Sequence, residues 1–355
     1  MNERLKKIKG ELSALNLDGL LIQNPVNRKY ISGFSGSAGI LFISKNSSIL
    51  FTDFRYIEQA KNQAPDFKII NHTIRGLYKE LNEVIQKEGI KTLGFESESV
   101  TFNEYKQYEK NLFVSMVPTL KIVEKLRAIK DEHEITLIRE AARIADQAFA
   151  HILSFLKEGI TEKDIALELE YFMKKNGASD LSFSTIVASG VFSALPHAVP
   201  TGKKLEKGDF VVMDFGCIYE GYCSDMTRTV VIGKPSSKHR EIYETVLTAQ
   251  KLALEAITPF VKGKEIDKVA REYITNKGYG EYFGHGLGHS VGMEVHENPR
   301  FSFNEENVIE PGTVITVEPG IYIPEFGGVR IEDLVVVREQ GIENLTISPK
   351  DLIEA

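Results

Sequence analysis

From Asp131 onward the chain runs twice through one order of local patterns, two helical stretches and then apolar strand-like segments, and few folds accommodate that order. Ile135, Ile138, Ala142, Ala145, Phe149 and Ile152 return to one face of a helix beginning near Asp131. A second helix starts at a capping box of Thr161 and Asp164 and stops at Gly177. Strand patterns follow at 183–187, 210–214 and 221–232. The order then recurs, with helices over 238–257 and 266–276 and strand patterns at 290–294, 313–317 and 329–337. The two passes share order but not identity, so they are not a sequence repeat. This layout predicts an α+β domain whose helices cover one face of a curved antiparallel sheet.

The preceding stretch has a different rhythm. Leu5, Ile8, Leu12 and Leu15 fall at helical spacing, and strand patterns follow at 19–22, 39–43 and 48–52. A helix over 77–85, a strand at 92–95, a helix over 102–110 and a short strand at 113–116 complete it. The alternation predicts a smaller α/β domain over 1–123, ahead of a larger one over 124–355. A length of 355 residues is enough for each to bury its own core.

A net charge of -7 leaves no basic field to gather phosphate backbones, which excludes nucleic acid as a partner class. The amino-terminal stretch is charged and helix-periodic, without the apolar stretch of a signal peptide. No apolar run approaches the roughly 18 to 20 residues of a membrane span. Cys217 and Cys223 are too few for a disulfide framework and read as two small, partly buried thiols. A cytoplasmic location with no membrane partner is the expectation.

Carboxylates and imidazoles sit at unusual places in the larger domain. Asp214 ends the apolar run Phe210–Met213, where a carboxylate buried without a cation or proton donors costs several kcal/mol. Asp225 lies eleven positions later, across a glycine-bounded turn, and a hairpin would bring the two together. In the stretch 284–297, His285, His289 and His296 alternate with glycines that permit close approach. Neutral imidazole there suits Mn, Fe, Co or Zn. Glu318 follows an apolar strand and precedes the turn residues Pro319 and Gly320. Glu332 lies in a strand pattern in which it shares a face with Arg330. Each position alone is weak evidence, but together they supply four carboxylates and an imidazole able to converge.

The ordered set of two Asp, HGLGH (285–289), TVEPG (316–320) and GVRIED (328–333) resembles the pita-bread metallopeptidases of family M24. It is most similar to their Xaa-Pro branch, aminopeptidase P and prolidase, and the first 120 or so residues look like the creatinase-type amino-terminal domain of that branch. The resemblance implies a pita-bread catalytic fold and two divalent metal ions, most readily Mn2+, with Co2+, Fe2+ or Zn2+ as alternatives. Asp225 and Glu332 would bridge the ions, Asp214 would bind one, and His289 and Glu318 the other. His197, in Leu195–Ala198, matches the family's first catalytic histidine and His296 its second. His285 and Arg330 match positions around the ligands. Arg330 would either orient a substrate carboxylate or hold Glu332, and the sequence leaves both open.

The implied reaction is hydrolysis of the peptide bond before proline by a metal-bridging hydroxide. Glu318 would relay a proton to the leaving nitrogen, and His197 or His296 would stabilise the oxyanion. Peptides with proline second are the implied substrates, and a homodimer is implied by the family alone. Methionyl aminopeptidase shares the ligand set but generally lacks the amino-terminal domain and the Arg-Ile-Glu arrangement. Creatinase works without metal and does not keep these ligands, and a noncatalytic binding protein of this fold would have lost them.

Overall fold

The computed structural model describes residues 3–355, and the chain divides between Arg127 and Ala128 into two compact units. The first unit holds a six-stranded mixed sheet built from β1 (Gly19–Ile22), β2 (Ile40–Ser44), β3 (Ser48–Thr52), β4 (Lys68–Asn71), β5 (Thr92–Glu96) and β6 (Ser115–Thr119), in the order β4-β3-β2-β1-β5-β6. The pairs β1–β2 and β2–β3 are antiparallel, whereas β1–β5, β3–β4 and β5–β6 are parallel. Leu21, Phe42 and Phe51 from the sheet pack with Leu81, Ile85 and Tyr108 from two helices into one core.

One helix of this unit, Pro25–Ser32, had no counterpart in the sequence reading, because Asn24-Pro25 is also a turn signal. Here the Asn24 side chain accepts from the N–H groups of Val26 and Asn27, and Pro25 supplies the first helical residue. Gly33 closes the helix in the left-handed region. The helices Ile57–Gln63 and Ile122–Ala128 and strand β4 are likewise additional to the expected elements. Their short, mixed-polarity segments lack a clear period.

In the second unit the helix Glu132–Leu153 begins in a capping box between Asp131 and Glu134, and the helix Glu162–Lys175 in one between Thr161 and Asp164. The strands are β7 (Asp180–Leu181), β8 (Ile186–Ser189), β9 (Phe210–Phe215), β10 (Cys217–Tyr219), β11 (Tyr222–Cys223), β12 (Met226–Val231), β13 (Gly288–Ser290), β14 (Glu297–Phe301), β15 (Val314–Val317), β16 (Gly320–Ile323), β17 (Gly327–Arg330), β18 (Asp333–Val337) and β19 (Ile342–Asn344). They pair antiparallel in a sheet β12-β9-β8, a sheet β14-β13-β15-β18-β19, a hairpin β16–β17 and a small sheet β11-β10-β7. The first helix pair packs Ile144, Phe149, Ile165 and Leu169 against Val211, Met213 and Val230. The helices Ser237–Ala256 and Gly263–Asn276 pack Val246, Ala270 and Ile274 against Ile315, Val317 and Val335. Each half of the unit thus has a helix pair on its own strands.

Two continuous strand patterns are broken in the structure. The pattern over 221–232 opens at Ser224 and Asp225, so Asp225 enters β12 from a loop. The pattern over 329–337 breaks at Ile331 and Glu332, where the chain leaves the β16–β17 hairpin for the five-stranded sheet. The Glu332 N–H is donated to the Thr227 carbonyl at 3.1 Å, which takes it out of any ladder with β16. Among the described residues no helix is long and apolar enough to cross a membrane. Cys217 and Cys223 are both buried free thiols, and burial pushes them up to about 11 and about 12.

The caps and the core contribute unequally to the helix Glu162–Lys175. Thr161→Ala removes one side-chain cap and should cost about 1 kcal/mol in denaturant unfolding. Leu169→Ala empties a fully buried position and should cost about 2–5 kcal/mol in the same measurement.

Candidate metal centre

Strand register brings the first carboxylates together. Asp214 in β9 stands opposite Thr227 in β12. Asp225, two residues before Thr227, stands at the loop that leads into β12. Glu332 reaches the same hydroxyl from the break between β17 and β18, accepting from Thr227 Oγ1 at 2.6 Å. The result is that donor atoms of Asp214, Asp225 and Glu332 all lie within 4.8 Å of one another. His289, in β13, approaches from the five-stranded sheet, with Nε2 at 3.6 Å from Asp225 Oδ2 and 3.4 Å from Glu318 Oε1. Glu318 leaves the end of β15, its N–H donated to the Leu287 carbonyl at 2.8 Å and its side chain accepting from Thr316 Oγ1 at 3.1 Å.

The electrostatics of this cluster are adverse as it stands. Burial raises Asp225 well above the usual carboxylate range, and the charges of Glu332, Asp214 and Glu318 add to the rise. Glu332 is raised for the same reasons. Burial pushes the Glu318 carboxyl up to about 7, with Arg330 opposing and Asp214 reinforcing the shift. Asp214 Oδ1 and Glu332 Oε1 are buried and have no hydrogen-bond partner among the described residues. Burial also holds the His289 imidazole down to about 3, so it is neutral. Its Nδ1 lies 3.2 Å from the Ser290 carbonyl and takes the hydrogen there, which leaves the Nε2 lone pair facing two carboxylates. Orphaned carboxylate oxygens and an inward lone pair are what a bound cation would satisfy, and oxygen-rich ligation with one imidazole suits a divalent first-row metal.

Arg330 joins the cluster to the rest of the cavity. Its Nη2 donates to Asp214 Oδ2 at 2.5 Å, its Nε to Thr227 Oγ1 at 3.0 Å and its Nη1 to Tyr322 OH at 2.8 Å. Of the two roles left open by the sequence, the contacts favour a positioning one, directly on Asp214 and on Glu332 only through Thr227. Tyr322 OH lies 3.0 Å from His285 Nε2, and His285 Nδ1 lies 2.8 Å from the Gly286 carbonyl. Burial and the Arg330 charge bring His285 down to about 4, so Tyr322 donates to a neutral ring. Gly320 makes this possible, since a Cβ there would meet Tyr322 OH at 2.5 Å.

All nine residues singled out in the sequence line one cavity of about 780 Å³. His296 and His197 stand at its exposed wall, and the His296 ring meets His289 edge to face at 4.4 Å. Four further residues of the site went unnoticed in the sequence: Thr227, Thr316, Tyr322 and Arg300. Period two from Asp225 and from Glu318 would have reached Thr227 and Thr316. Arg300 stands opposite His289 in the β13–β14 register, a pairing with a bulge that no local pattern reveals.

Residues 136–339 match metallopeptidase family M24, and residues 4–129 match the creatinase/prolidase N-terminal domain. The chain belongs to metallopeptidase family M24. An Xaa-Pro dipeptidase of Pyrococcus horikoshii is 43% identical to this M24 chain, with 99% of each covered. The solved structure of an Xaa-Pro dipeptidase from Bacillus anthracis is 47% identical, with a TM-score of 0.97 over 99% of each chain. That of an X-Pro aminopeptidase from Thermotoga maritima is 41% identical, with a TM-score of 0.92 over 97% of this chain and 100% of its own. M24 enzymes use divalent metals, and the acidic cluster of this member has the donor set to hold one.

If repulsion among the carboxylates is relieved by a cation, Asp225→Asn should act in opposite directions with and without metal. In metal-free protein it should raise the melting temperature by about 2 °C or more, and Mn2+ should raise the melting temperature of wild type but not of the variant. A variant destabilised in both conditions would remove the repulsion argument.

Proposed function

We propose that this protein is a two-metal peptidase that hydrolyses the bond before proline, with residues 124–355 as its catalytic domain and 1–123 as the creatinase-type domain ahead of it. The observation that carries this reading is the cluster of Asp214, Asp225 and Glu332 faced by His289 and Glu318, in a chain 99% covered by an Xaa-Pro dipeptidase. Asp214, Asp225, His289, Glu318 and Glu332 would together hold the ions, with Asp225 and Glu332 expected to be shared between them. Two divalent cations bound there, Mn2+ foremost, would supply the charge that makes water a nucleophile near neutral pH.

The chain's own groups do the rest. Glu318, at the end of β15 facing His289, takes the proton of the attacking water and returns it to the leaving nitrogen. His197 and His296 face the cavity and donate to the oxygen on which negative charge develops. Arg330 fixes Asp214 and Tyr322, and also donates to the Pro196 carbonyl at 3.4 Å, next to His197. His285 accepts from Tyr322 and so fixes the far side of that hydroxyl.

An Xaa-Pro bond is a tertiary amide without an N–H, so the cavity must read the ring and the substrate ends. Arg300 lines the cavity beside His289 and offers a guanidinium to a substrate carboxylate. On this basis the preferred substrate is a dipeptide, whose carboxylate lies one residue from the scissile bond. A homodimer in the cytoplasm completes the proposal.

Two assays test it. Ala-Pro should be cleaved in the presence of Mn2+ or Co2+ and not after chelation, whereas cleavage of Met-Ala-Ser but of neither Ala-Pro nor Ala-Pro-Ala would overturn the proline assignment. Arg300→Met should raise KM for Ala-Pro by about tenfold or more and leave KM for Ala-Pro-Ala less affected.

A further inference from the structure

Lys130 is a buried cation whose role no part of the proposed chemistry explains. Its side chain is 1% exposed and its Nζ lies 3.0 Å from Glu297 Oε2, itself 7% exposed. Nζ also donates to the Ala128 carbonyl at 3.4 Å, and the Lys130 N–H is donated to Gly312 at 2.9 Å. Burying such a pair gains little stability over an apolar pair of similar volume, while removing one partner strands the other charge. Its location therefore matters more than its energy.

Glu297 directly follows His296 and opens β14. His296, just ahead of the strand, lines the cavity, whereas Glu297, the first strand residue, is buried. The Glu297 carboxylate does a second thing: its Oε1 accepts the Glu294 N–H at 3.2 Å, closing the turn that delivers His296. It lies so close over Gly292 that a Cβ there would meet both carboxylate oxygens at 2.6 Å. From the other side the Cys223 N–H is donated to the Gly292 carbonyl at 2.7 Å, two residues before Asp225. The turn Gly292–His296 is thus gripped between the Asp225-bearing loop and the Glu297 carboxylate, and the Lys130 ammonium at 3.0 Å holds this carboxylate in place.

We propose that the Lys130–Glu297 ion pair is a positioning device for His296, which makes Lys130 a determinant of turnover although it touches neither ligands nor substrate. The inference rests on the reading of this cavity as a peptidase site in which His296 acts. Lys130 lies outside residues 136–339, the span that matches the metallopeptidase family.

The test uses the full-length protein carrying Lys130→Met, Glu297→Gln, the two together, and each change in a His296→Ala background. With Ala-Pro and Mn2+, Lys130→Met should lower kcat by about tenfold to a hundredfold with KM changed by less than about twofold. The combined variant removes both charges of this pair and keeps an acceptor for Glu294, so it should recover part of the loss. It also keeps the proposal falsifiable if a single variant fails to fold. In the His296→Ala background the Lys130 change should have little further effect. A loss of equal size there, or a folded Lys130→Met enzyme with wild-type kcat, would overturn the proposal. A second readout is independent of turnover: in metal-free protein with labelled histidine, the His296 ring resonance, assigned by its absence from His296→Ala, should shift or broaden in Lys130→Met and return in the combined variant. An unmoved resonance counts against the positioning role. A moved resonance together with wild-type kcat in His296→Ala would instead locate the failure in the catalytic role given to His296.

Discussion

Four carboxylates, Asp214, Asp225, Glu318 and Glu332, are held in one buried volume against their mutual repulsion, and much of the second unit serves that constraint. Left to themselves they would separate or take up protons, as the upward shifts of Asp225, Glu318 and Glu332 show. The chain opposes this with cations placed directly behind the cluster. Arg330 grips Asp214. Arg228, one residue past Thr227, is 1% exposed and donates to the carbonyls of Thr227 and Glu332 and to Asp333. Asp333 is in turn held by Gln250, Asn344 and Lys350. The fixed charges thus lie in the backbone segments next to the ligands, where they set geometry without competing for the cation.

The same device recurs at the imidazole side. Asp267 and Arg271, one helical turn apart on Gly263–Asn276, form an ion pair at 2.7 Å. Arg271 donates to the carbonyls of Phe283 and His285, and Asp267 accepts the Leu287 N–H. The loop of glycines and histidines, anchored in the core by Phe283 and Leu287, is thereby tied to a helix as well. Lys130 and Glu297 do for the following turn what Asp267 and Arg271 do for this one.

Much of this was legible in the sequence where a local rule decides it. The capping boxes at Asp131 and Thr161, the strand bearing Asp214 and the long amphipathic helices follow from short-range chemistry, and the carboxylate and histidine positions stood out against apolar or glycine-rich surroundings. The misses have a common cause. The pattern over Val329–Val337 reads as one strand because Val329 and Ile331 lead into the apolar run Leu334–Val337, and only a distant carbonyl, that of Thr227, takes the Glu332 N–H out of the ladder. Thr227 and Tyr322 look like ordinary strand residues until register pairs one with Asp214 and Gly320 makes room for the other. The buried partners Lys130 and Arg228 look like surface charges in a linear reading, since burial of a cation depends on a carboxylate more than 100 residues away.

The switch of sheets at Ile331 and Glu332 has a kinetic meaning. Asp214 belongs to one sheet, His289 to another, and Glu332 to the joint between the hairpin and the five-stranded sheet. A cation held by all of them would span a seam between two sheets, each covered by its own helix pair. Because the ligands come from elements on both sides of that seam, anything that shifts one sheet against the other should change the ligand geometry, and the rate at which a bound cation exchanges would report it.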